Sequence, residues 1–448
     1  MKIYVGSTNS LLETDNEEIL KALIHIYTVE YPGSYFIKKT HKNWDGKKRF
    51  VTPKGVFKTG LLPRIIANLE KVDIKPTIEY HSNISNVEYH EDLLEKYTLF
   101  EDQTDLLQRL IIAGRGICSA PTGSGKSIIM ASMISLWNSL GKNNILIVTA
   151  RKQLVSQLYT FFDSCLSNVG VCYGEGFVPG KTMVVSIGSI ERIVDDSYKP
   201  DLILVDEIHE FSGGKTSLAK IEEIDCYHKF GFTATVPKDL FSRLTVEGTF
   251  GSVIVGSTTQ ELTAKGRIPV AKINIYNCKH EEFGAEDTYL ETYQKKVINN
   301  RERNTLICSM VNSIISDNRN AKILLLVKNI SHIDNLVKLI PNAVVIQGSD
   351  DIQSRYDKIK LFLEKRNIII GTTVMQTGIN IPELTDFINA RALRSEIATI
   401  QAIGRMLRGS ETVTIHDIKD DCKYLKKHFK ERLAAYEKEG HTINEVTI

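Results

Sequence analysis

The sequence lacks long apolar runs, a metal-binding or disulfide pattern of cysteines, and a strong net charge. No apolar stretch approaches the roughly 18 residues that a membrane-spanning helix needs. Acidic side chains precede any long apolar stretch near the N-terminus, so we expect no signal peptide. The seven cysteines are odd in number and no two form a C-x-x-C pair, which disfavours a disulfide framework and zinc ribbons. A reducing, intracellular compartment is the simplest interpretation.

Charge and composition place the chain among ordinary globular proteins. Lysine and arginine number 56 against 54 acidic residues, so the net charge of the 448 residues is +2. The overall charge therefore indicates no polyanionic partner, and a nucleic-acid surface would have to come from local basic clusters. Hydrophobic residues make up 42% and charged residues 25%, which excludes collagen-like and disordered classes. At roughly 150 residues per domain, the length predicts about three domains.

The pattern of apolar residues predicts how these domains follow one another. Residues 1–92 combine short alternating segments with one helical stretch, which indicates a small α+β domain. In residues 93–262, and again in 263–448, short apolar runs alternate with helical segments, which is typical of parallel α/β sheets. The predicted strand runs are 115–120, 144–150, 182–188, 201–206, 229–235, 322–328, 343–348, 367–373, 385–390 and 412–418.

A glycine-rich loop follows the first of these runs. The segment SAPTGSGKS, residues 119–127, stands between a strand run and an apolar-periodic helix, which is the context of a phosphate-binding P-loop. Lys126 is expected to reach the β- and γ-phosphates of ATP, and the Ser127 hydroxyl is expected to bind Mg²⁺. The residues predicted to bind ATP here are Thr122, Gly123, Ser124, Gly125, Lys126 and Ser127. The alternative, a glycine- and serine-rich surface turn, is disfavoured by the flanking strand and helix.

Two acidic residues end a later buried strand. Asp206 and Glu207 follow the apolar run LILV, and the carboxyl ends of strands are where open α/β sheets bind ligands. We expect Asp206 to bind Mg²⁺ and Glu207 to orient and deprotonate the attacking water. His209 is expected to contact a neighbouring motif. Such a pair is common at solvated strand ends, but together with the P-loop it predicts phosphoryl transfer.

An arginine pair lies near the other end of the chain. Residues 399–410, TIQAIGRMLRGS, fit the pattern Q-x-x-G-R-x-x-R. Gln401, Arg405 and Arg408 are four and three residues apart and so share one helix face. Arginine suits the stabilisation of charge on a transferring phosphoryl group. The alternative is a surface helix with spaced arginines, which the position late in a second α/β unit disfavours.

Basic residues cluster in the N-terminal domain. The segment 38–58 contains eight lysines and arginines against one acid, with Trp44 and Phe50 interleaved. We expect Lys47, Lys48 and Arg49 to bind DNA phosphates, whereas Trp44 could equally stack on a base or fill the core. A second basic stretch, 422–439, predicts an amphipathic helix that packs on the core and exposes a solvated basic face.

In this order the motifs resemble those of superfamily 2 helicases of the DExH kind, over roughly residues 93–418. The resemblance implies two tandem RecA-like parallel-sheet domains, preceded here by the small α+β domain, that use ATP and Mg²⁺ and bind nucleic acid. It implies adenine reading by Gln103, nucleotide contacts by Gly378 and Asn380, and coupling through His209, Thr233 and Thr235. The implied nucleic-acid contacts are Arg151, Gln157, Ser186, Lys328 and Thr373. Asn380 stands where the family often has aspartate.

The small N-terminal domain contains the segment NWDGKKRF and is followed directly by these helicase motifs, and this arrangement is similar to that of the UvsW-type helicases of tailed phages. That resemblance implies an ATP-dependent DNA helicase or translocase that unwinds forks and migrates branches in recombination, repair and replication, in the cytoplasm of a bacterial host. The alternatives are an RNA helicase, the duplex-DNA translocase subunit of a restriction-type complex, and an ATP-binding nucleic-acid module without activity. No membrane and no obligate protein partner is expected, and a monomer is compatible with the sequence.

Overall fold

The fold was obtained as a computed structural model and contains two compact units. Unit 1 comprises Met1–Pro121 and Gly125–Ser257, and unit 2 comprises Thr122–Ser124 and Thr258–Ile448. The structure describes residues 1–35, 44–81, 87–150, 152–194, 198–211, 215–268, 271–280, 288–372, 383–394 and 413–447. Among these residues, no helix has both the length and the apolar character needed to cross a membrane.

Unit 1 begins with a four-stranded mixed sheet of order β5–β2–β1–β6 and a separate two-stranded ribbon, β3–β4. Alternation of apolar residues along the strands places Ile3, Val5 and Leu12 on a buried face, which shares one core with the two helices of this region. The strands are β1 (Lys2–Val5), β2 (Asn9–Glu13), β3 (Thr28–Glu30), β4 (Lys47–Arg49), β5 (Val56–Lys58) and β6 (Thr77–Tyr80), and the helices are Glu17–Ile26 and Leu62–Glu70, the second preceded by a 3₁₀ turn at Thr59–Leu61.

The rest of unit 1 is an eight-stranded sheet of order β10–β9–β11–β8–β12–β13–β7–β14, parallel except for the β9–β10 pair. Ile145 and Ile147 belong to one core and Leu146 and Val148 to another, so this strand is buried on both faces. The strands are β7 (Gly116–Ser119), β8 (Ile145–Thr149), β9 (Val169–Tyr173), β10 (Gly176–Val178), β11 (Thr182–Ser186), β12 (Leu202–Asp206), β13 (Lys229–Thr233) and β14 (Val253–Val255). The helices are Glu101–Ala113, Lys126–Ser139, Lys152–Cys165, Lys215–Glu223 and Leu240–Phe250, with 3₁₀ turns at Ile187–Arg192 and Ile208–Glu210.

Buried polar contacts join the two sheets of unit 1. The fully buried guanidinium of Arg115 donates to the carbonyl oxygens of Ser7, at 3.0 Å, and Phe250, at 3.3 Å. Gly60 approaches the Leu240–Phe250 helix so closely that a Cβ on it would lie 2.1 Å from the carbonyl oxygen of Glu247. The N-terminal sheet is therefore packed tightly against the sheet that follows it.

Unit 2 contains a seven-stranded parallel sheet of order β17–β18–β16–β19–β20–β15–β21. The helix Lys423–Lys438 packs on it through Leu425, Phe429 and Tyr436, as the amphipathic pattern predicts. The strands are β15 (Lys272–Cys278), β16 (Ile323–Leu326), β17 (Val344–Ile346), β18 (Ile368–Gly371), β19 (Asp386–Asn389), β20 (Thr414–Asp420) and β21 (Thr442–Val446). The other helices are Thr259–Ala264, Tyr289–Tyr293, Arg301–Asp317, Ile330–Leu339 and Ile352–Lys365, with a π turn at Gln294–Ile298.

The predicted α/β fold class with two parallel sheets is confirmed, and every predicted strand run contains a strand. The domain boundaries after residues 92 and 262 stay predictions. The apolar pattern of the sequence does not predict β9, β10, β14, β15 and β21, which are short, polar or peripheral. Because β15 precedes β16 in the chain, Lys328 follows the second strand of unit 2 and not its first.

Candidate active site

The predicted phosphate-binding loop connects β7 to the helix Lys126–Ser139. Gly123 and Gly125 have φ angles of +87° and +86°, in the left-handed region that glycine adopts without strain. Lys126 is 9% exposed, and its Nζ donates to the carbonyl oxygens of Ala120 and Pro121, each at 3.0 Å. The first backbone N–H groups of a helix in general lack a carbonyl partner within it, which suits a loop at this position to binding an anion.

Gln103 lies beside this loop. The side chain is 2% exposed, and its Oε1 accepts a hydrogen bond of 3.0 Å from the backbone N–H of Phe100. A Cβ on Gly125 would lie 2.3 Å from Gln103 Nε2, so a side chain there would displace the Gln103 amide. The structure thus brings Gln103 next to the loop, while its reading of adenine stays a prediction.

The acidic pair ends a strand at the same edge of the sheet as the loop. β12 lies beside β13, and β13 lies beside β7, so Asp206 and the loop are two strand spacings apart, about 10 Å. Asp206 Oδ1 accepts a 3.0 Å hydrogen bond from the backbone N–H of Glu207. Oxygen ligands of this kind, together with the Ser127 hydroxyl, are those that Mg²⁺ prefers. The donor set at this edge therefore fits a magnesium ion.

Glu207 has a strained backbone. Its φ and ψ angles are 53° and 51°, in the left-handed region, where a side chain costs roughly 1–3 kcal/mol. The carboxylate is mostly buried, and its Oε2 accepts no hydrogen bond of good geometry but lies 3.3 Å from the Nδ1 of His209. A strained, mostly buried carboxylate beside a candidate phosphate site is typical of functional groups.

His209 connects the acidic pair to the end of β13. Its Nδ1 lies 3.1 Å from the Thr233 hydroxyl. That hydroxyl donates to the carbonyl oxygen of Thr235 at 2.9 Å and accepts from the Thr235 N–H at 3.1 Å. Because the hydroxyl proton is engaged, His209 Nδ1 donates to Thr233. The predicted contact of His209 with a neighbouring motif is present, and its coupling role stays a prediction.

One cysteine lies close to the loop but takes no part in chemistry. Cys118 is fully buried in β7, and burial raises the pKa of its thiol to about 12. It remains a neutral thiol at physiological pH, and we assign it to the core.

The predicted nucleic-acid residues of unit 1 differ in exposure. Lys47, Lys48 and Arg49 are exposed on β4, and Arg49 pairs with Asp45 at 2.5 Å, which lowers the pKa of that carboxyl. Trp44 is half-buried, with its ring 5.5 Å from that of Tyr31 in an edge-on arrangement.

Two further predicted contacts belong to the eight-stranded sheet. Gln157 is exposed on the helix Lys152–Cys165. Ser186, by contrast, is 1% exposed, and its hydroxyl donates to Ser189 at 3.1 Å, which leaves it little access to a ligand. The roles of both residues in binding nucleic acid stay predictions.

Lys328 is exposed in unit 2 and stands over two aromatic rings. Its Nζ lies 4.8 Å from the centre of the Tyr293 ring and 5.6 Å from that of Tyr289. These tyrosines orient the ammonium group by cation–π attraction. The two tyrosines were not among the predicted site residues, although two aromatic residues four apart on a helix share a face.

Seven predicted site residues lie outside the described residues. They are Arg151, Thr373, Gly378, Asn380, Gln401, Arg405 and Arg408. Their assignments, including the arginine pair, stay predictions.

A potential metal-ligand cluster in unit 2 is better explained as an ion-pair network. Ligand atoms of Cys278, His280 and Asp420 lie within 4.8 Å of one another. However, the guanidinium of Arg303 donates to both carboxylate oxygens of Asp420, at 2.8 and 3.2 Å, and His280 contacts the first of them. The arginine already neutralises the carboxylate, so this cluster does not favour a cation.

Two family models match the chain in sequence order. "Type III restriction enzyme, res subunit" matches residues 96–238, and "Helicase conserved C-terminal domain" matches residues 303–410. The first match contains the loop and the acidic pair, and the second contains the arginine motif. Together the two models cover more than half of the chain.

Known proteins are similar over most of their length. The chain is 24% identical over 416 residues to "ATP-dependent DNA helicase uvsW" of Enterobacteria phage T4, covering 85% of this chain and 82% of that protein. Among solved structures, Saccharomyces cerevisiae Dbp5 bound to RNA and ADP BeF3 has a TM-score of 0.54 at 14% identity, covering 78% of this chain and 94% of that chain. The Pyrococcus furiosus Hef helicase domain has a TM-score of 0.52 at 12% identity, covering 73% and 96%.

The two structural likenesses show the fold of a two-domain RecA-like helicase. The family models and the phage relative agree with the motifs from which the same assignment was predicted. The chain therefore belongs to the superfamily 2 helicases and is a UvsW-like, ATP-dependent helicase.

Proposed function

We propose that this helicase acts on branched DNA, unwinding forks and migrating branches with the energy of ATP hydrolysis. The observation that carries the proposal is the similarity, over most of both chains, to a relative whose name is DNA helicase. The exposed cations of β4 support it, because they offer phosphate contacts outside the ATP site. Roles in recombination, repair and replication follow from the UvsW resemblance.

The loop binds the phosphates of ATP in this proposal. Lys126 exchanges the carbonyl oxygens of Ala120 and Pro121 for the more strongly charged β- and γ-phosphates. Ser127 and Asp206 hold Mg²⁺, which supplies neutralisation of phosphate charge when bound. Gln103, beside Gly125, contacts the base. Gly378 and Asn380 contact the nucleotide, and Gln401, Arg405 and Arg408 stabilise charge on the transferring phosphoryl group.

Glu207 positions and deprotonates the attacking water. Its Oε2, which accepts no hydrogen bond of good geometry within the protein, offers a lone pair to that water. The hydrogen bond from His209 to Thr233 then transmits a change at the acidic pair to the end of β13. We assign coupling to this contact and to Thr235.

DNA binding is distributed over several exposed groups. In unit 1 the phosphate contacts come from Lys47, Lys48, Arg49 and Gln157, and Trp44 lies close to β4 in the chain. In unit 2 the phosphate contact comes from Lys328. Arg151, Ser186 and Thr373 complete the set predicted from the motifs. We place the protein in the cytoplasm of a bacterial host, acting on forks or junctions without an obligate protein partner.

The test compares nucleic acids directly. We expect forks and four-way junctions to stimulate ATP hydrolysis more than RNA or blunt duplex, and fork unwinding to require ATP. Stronger stimulation by RNA would indicate an RNA helicase. Displacement of a triplex-forming strand without unwinding would indicate a translocase motor, and no ATP hydrolysis with any nucleic acid would indicate a binding module.

A further inference from the structure

A cavity of about 720 Å³ lies inside unit 1, between the N-terminal sheet and the eight-stranded sheet. Its walls come from β3–β4 and β5 on one side and from the helices Lys215–Glu223 and Leu240–Phe250 on the other. Packing voids in protein interiors rarely exceed a water molecule, whereas ligand pockets measure roughly 300–1,000 Å³. The cavity therefore has the size of a binding site.

Aromatic side chains form much of its lining. Phe241 lies at the centre of this group, with its ring 5.1 Å from Tyr31 and 6.0 Å from Phe50. Tyr31 and Phe241 are only half-buried. Phe57 and Phe211 also line the cavity from the buried side. Such rings offer flat apolar surfaces to a flat ligand.

The charge of the lining is positive. Lys48, Arg49 and Lys58 face the cavity together with a single carboxylate, Glu222. Lys58 pairs with Glu222 at 3.1 Å, and Arg49 pairs with Asp45 at 2.5 Å. Among the residues that the structure describes, Lys48 forms no ion pair and is exposed at the rim. An anionic group at this rim would meet uncompensated positive charge.

We infer that this cavity holds one unpaired nucleotide of the DNA on which the helicase acts. The base would lie against Tyr31 and Phe241, and its phosphate would meet Lys48 at the rim. This inference rests on the proposed DNA helicase function and names a subsite for it. Single-stranded DNA at a fork presents unstacked bases, and stacking on aromatic rings captures them.

Two of the polar side chains that line the cavity, Thr52 and Thr245, form hydrogen bonds within the protein. The Thr52 hydroxyl accepts from the backbone N–H of Val56 at 3.0 Å, and the Thr245 hydroxyl donates to the carbonyl oxygen of Phe241 at 2.7 Å. Both hydroxyls are thus engaged within the protein. We expect the site to accept any base, as a motor that moves through every sequence requires.

The far walls of the cavity are connected to the candidate ATP site. Phe211 directly follows the turn Ile208–Glu210 and donates its N–H to Ile208 at 3.0 Å. At the start of β13, Lys229 donates to the carbonyl oxygens of Ile221 and Glu222, at 3.0 and 3.2 Å. The strand β13 ends at Thr233, which contacts His209. A nucleotide in the cavity would therefore touch elements that connect, through the turn Ile208–Glu210 and through β13, to the contact between His209 and Thr233. Occupancy is therefore expected to raise ATP hydrolysis.

The first test scans the DNA and uses the unmodified protein. Forks carry one abasic residue, moved along the unpaired arm, so that each substrate loses one base but keeps its phosphates. We expect one position, or two adjacent positions, at which affinity falls roughly five- to hundredfold and ATPase stimulation falls with it. Equal affinity at every position would overturn the inference, because phosphates alone would then explain binding.

The second test fills the cavity. Ala219 lines it from the helix Lys215–Glu223, and Glu223 on the same helix is exposed and outside the lining. In Ala219→Phe the abasic residue should no longer lower the affinity for the fork, and the intact fork should bind as weakly as the abasic fork binds the unmodified protein. Glu223→Phe should leave the affinity for the intact fork and the effect of the abasic residue unchanged. Retained sensitivity in Ala219→Phe would place the base elsewhere. If the unmodified protein fails to unwind forks, the proposed function is wrong; if it unwinds them without the abasic effect, only this inference is wrong.

Discussion

The imidazole Nδ1 of His209 lies 3.1 Å from the hydroxyl oxygen of Thr233, joining the end of β12 to the end of β13. If this hydrogen bond couples ATP hydrolysis to movement, removing it should affect unwinding more than hydrolysis. We expect Thr233→Val, which keeps the shape but loses the hydroxyl, to lower fork unwinding per ATP roughly fivefold. In a double-mutant cycle, adding His209→Ala to Thr233→Val should lower fork unwinding per ATP little further. Independent, additive effects would contradict the coupling role.

Lys126 is the residue on which ATP turnover should depend most. Lys126→Ala leaves the loop backbone intact but removes the cation expected at the β- and γ-phosphates, so ATP hydrolysis should fall by roughly 10²–10³ while fork binding persists. The matched control is Lys181→Ala, which removes an exposed lysine of the same unit. Fork-stimulated ATP hydrolysis at an undiminished rate in Lys126→Ala would show that the loop is not the ATP site.

The backbone strain at Glu207 should separate stability from activity. Glu207→Gln keeps the left-handed backbone and Glu207→Gly relieves it, so the glycine variant should have the greater free energy of unfolding, by about 1 kcal/mol. Both variants should lose ATP hydrolysis because both lack the carboxylate. The comparison is made by urea unfolding alongside an ATPase assay, and an active glutamine variant would remove Glu207 from the proposed chemistry.

Lys229 should make the stability of unit 1 depend on pH. Burial lowers the pKa of its ammonium to about 7 from 10.5, so the folded protein releases this proton at lower pH than the unfolded chain. The free energy of unfolding therefore rises as the pH increases between these two pKa values, by at most about 1.4 kcal/mol per pH unit. Below about pH 7 the buried amine is charged in the folded protein, and the full destabilisation by this charge is present. Lys229→Met should flatten this rise in urea unfolding measured from pH 7 to 9.5. The exposed Lys199→Met is the control and should retain the slope.

A buried ion pair secures the C-terminal helix of unit 2. Arg432 donates to both oxygens of Asp417, at 2.7 and 3.1 Å, and neither side chain is more than 1% exposed. Arg432→Met should lower the free energy of unfolding by roughly 3–5 kcal/mol, because it leaves a buried carboxylate without its cation. Lys427→Met, on the exposed face of the same helix, should change it by less than about 0.5 kcal/mol. Thermal or urea unfolding distinguishes the two, and equal effects would contradict the importance of the pair.

The ATP-site motifs were predictable because their residues are contiguous. Gly123 and Gly125 stand where the backbone turns left-handed, and Asp206 directly follows an apolar run, so local spacing alone indicated a loop and a strand end. The strands β15 and β21 were missed because Lys272, Asn274 and Asn444 interrupt their apolar pattern. Their place in the sheet depends on pairing with each other, although paired residues such as Lys272 and Thr442 lie far apart in the sequence.

The sequence by itself determined the order of the motifs, the alternation of strands and helices, and thereby the helicase family. Those properties depend on neighbours along the chain, where periodicity and spacing act directly. Only the tertiary structure decided that Gln103 touches the loop, that His209 meets Thr233 and that a cavity with aromatic and basic walls opens between the N-terminal sheet and the next. These relationships join residues far apart in sequence, and the packing of whole elements, which no local pattern encodes, sets their distances.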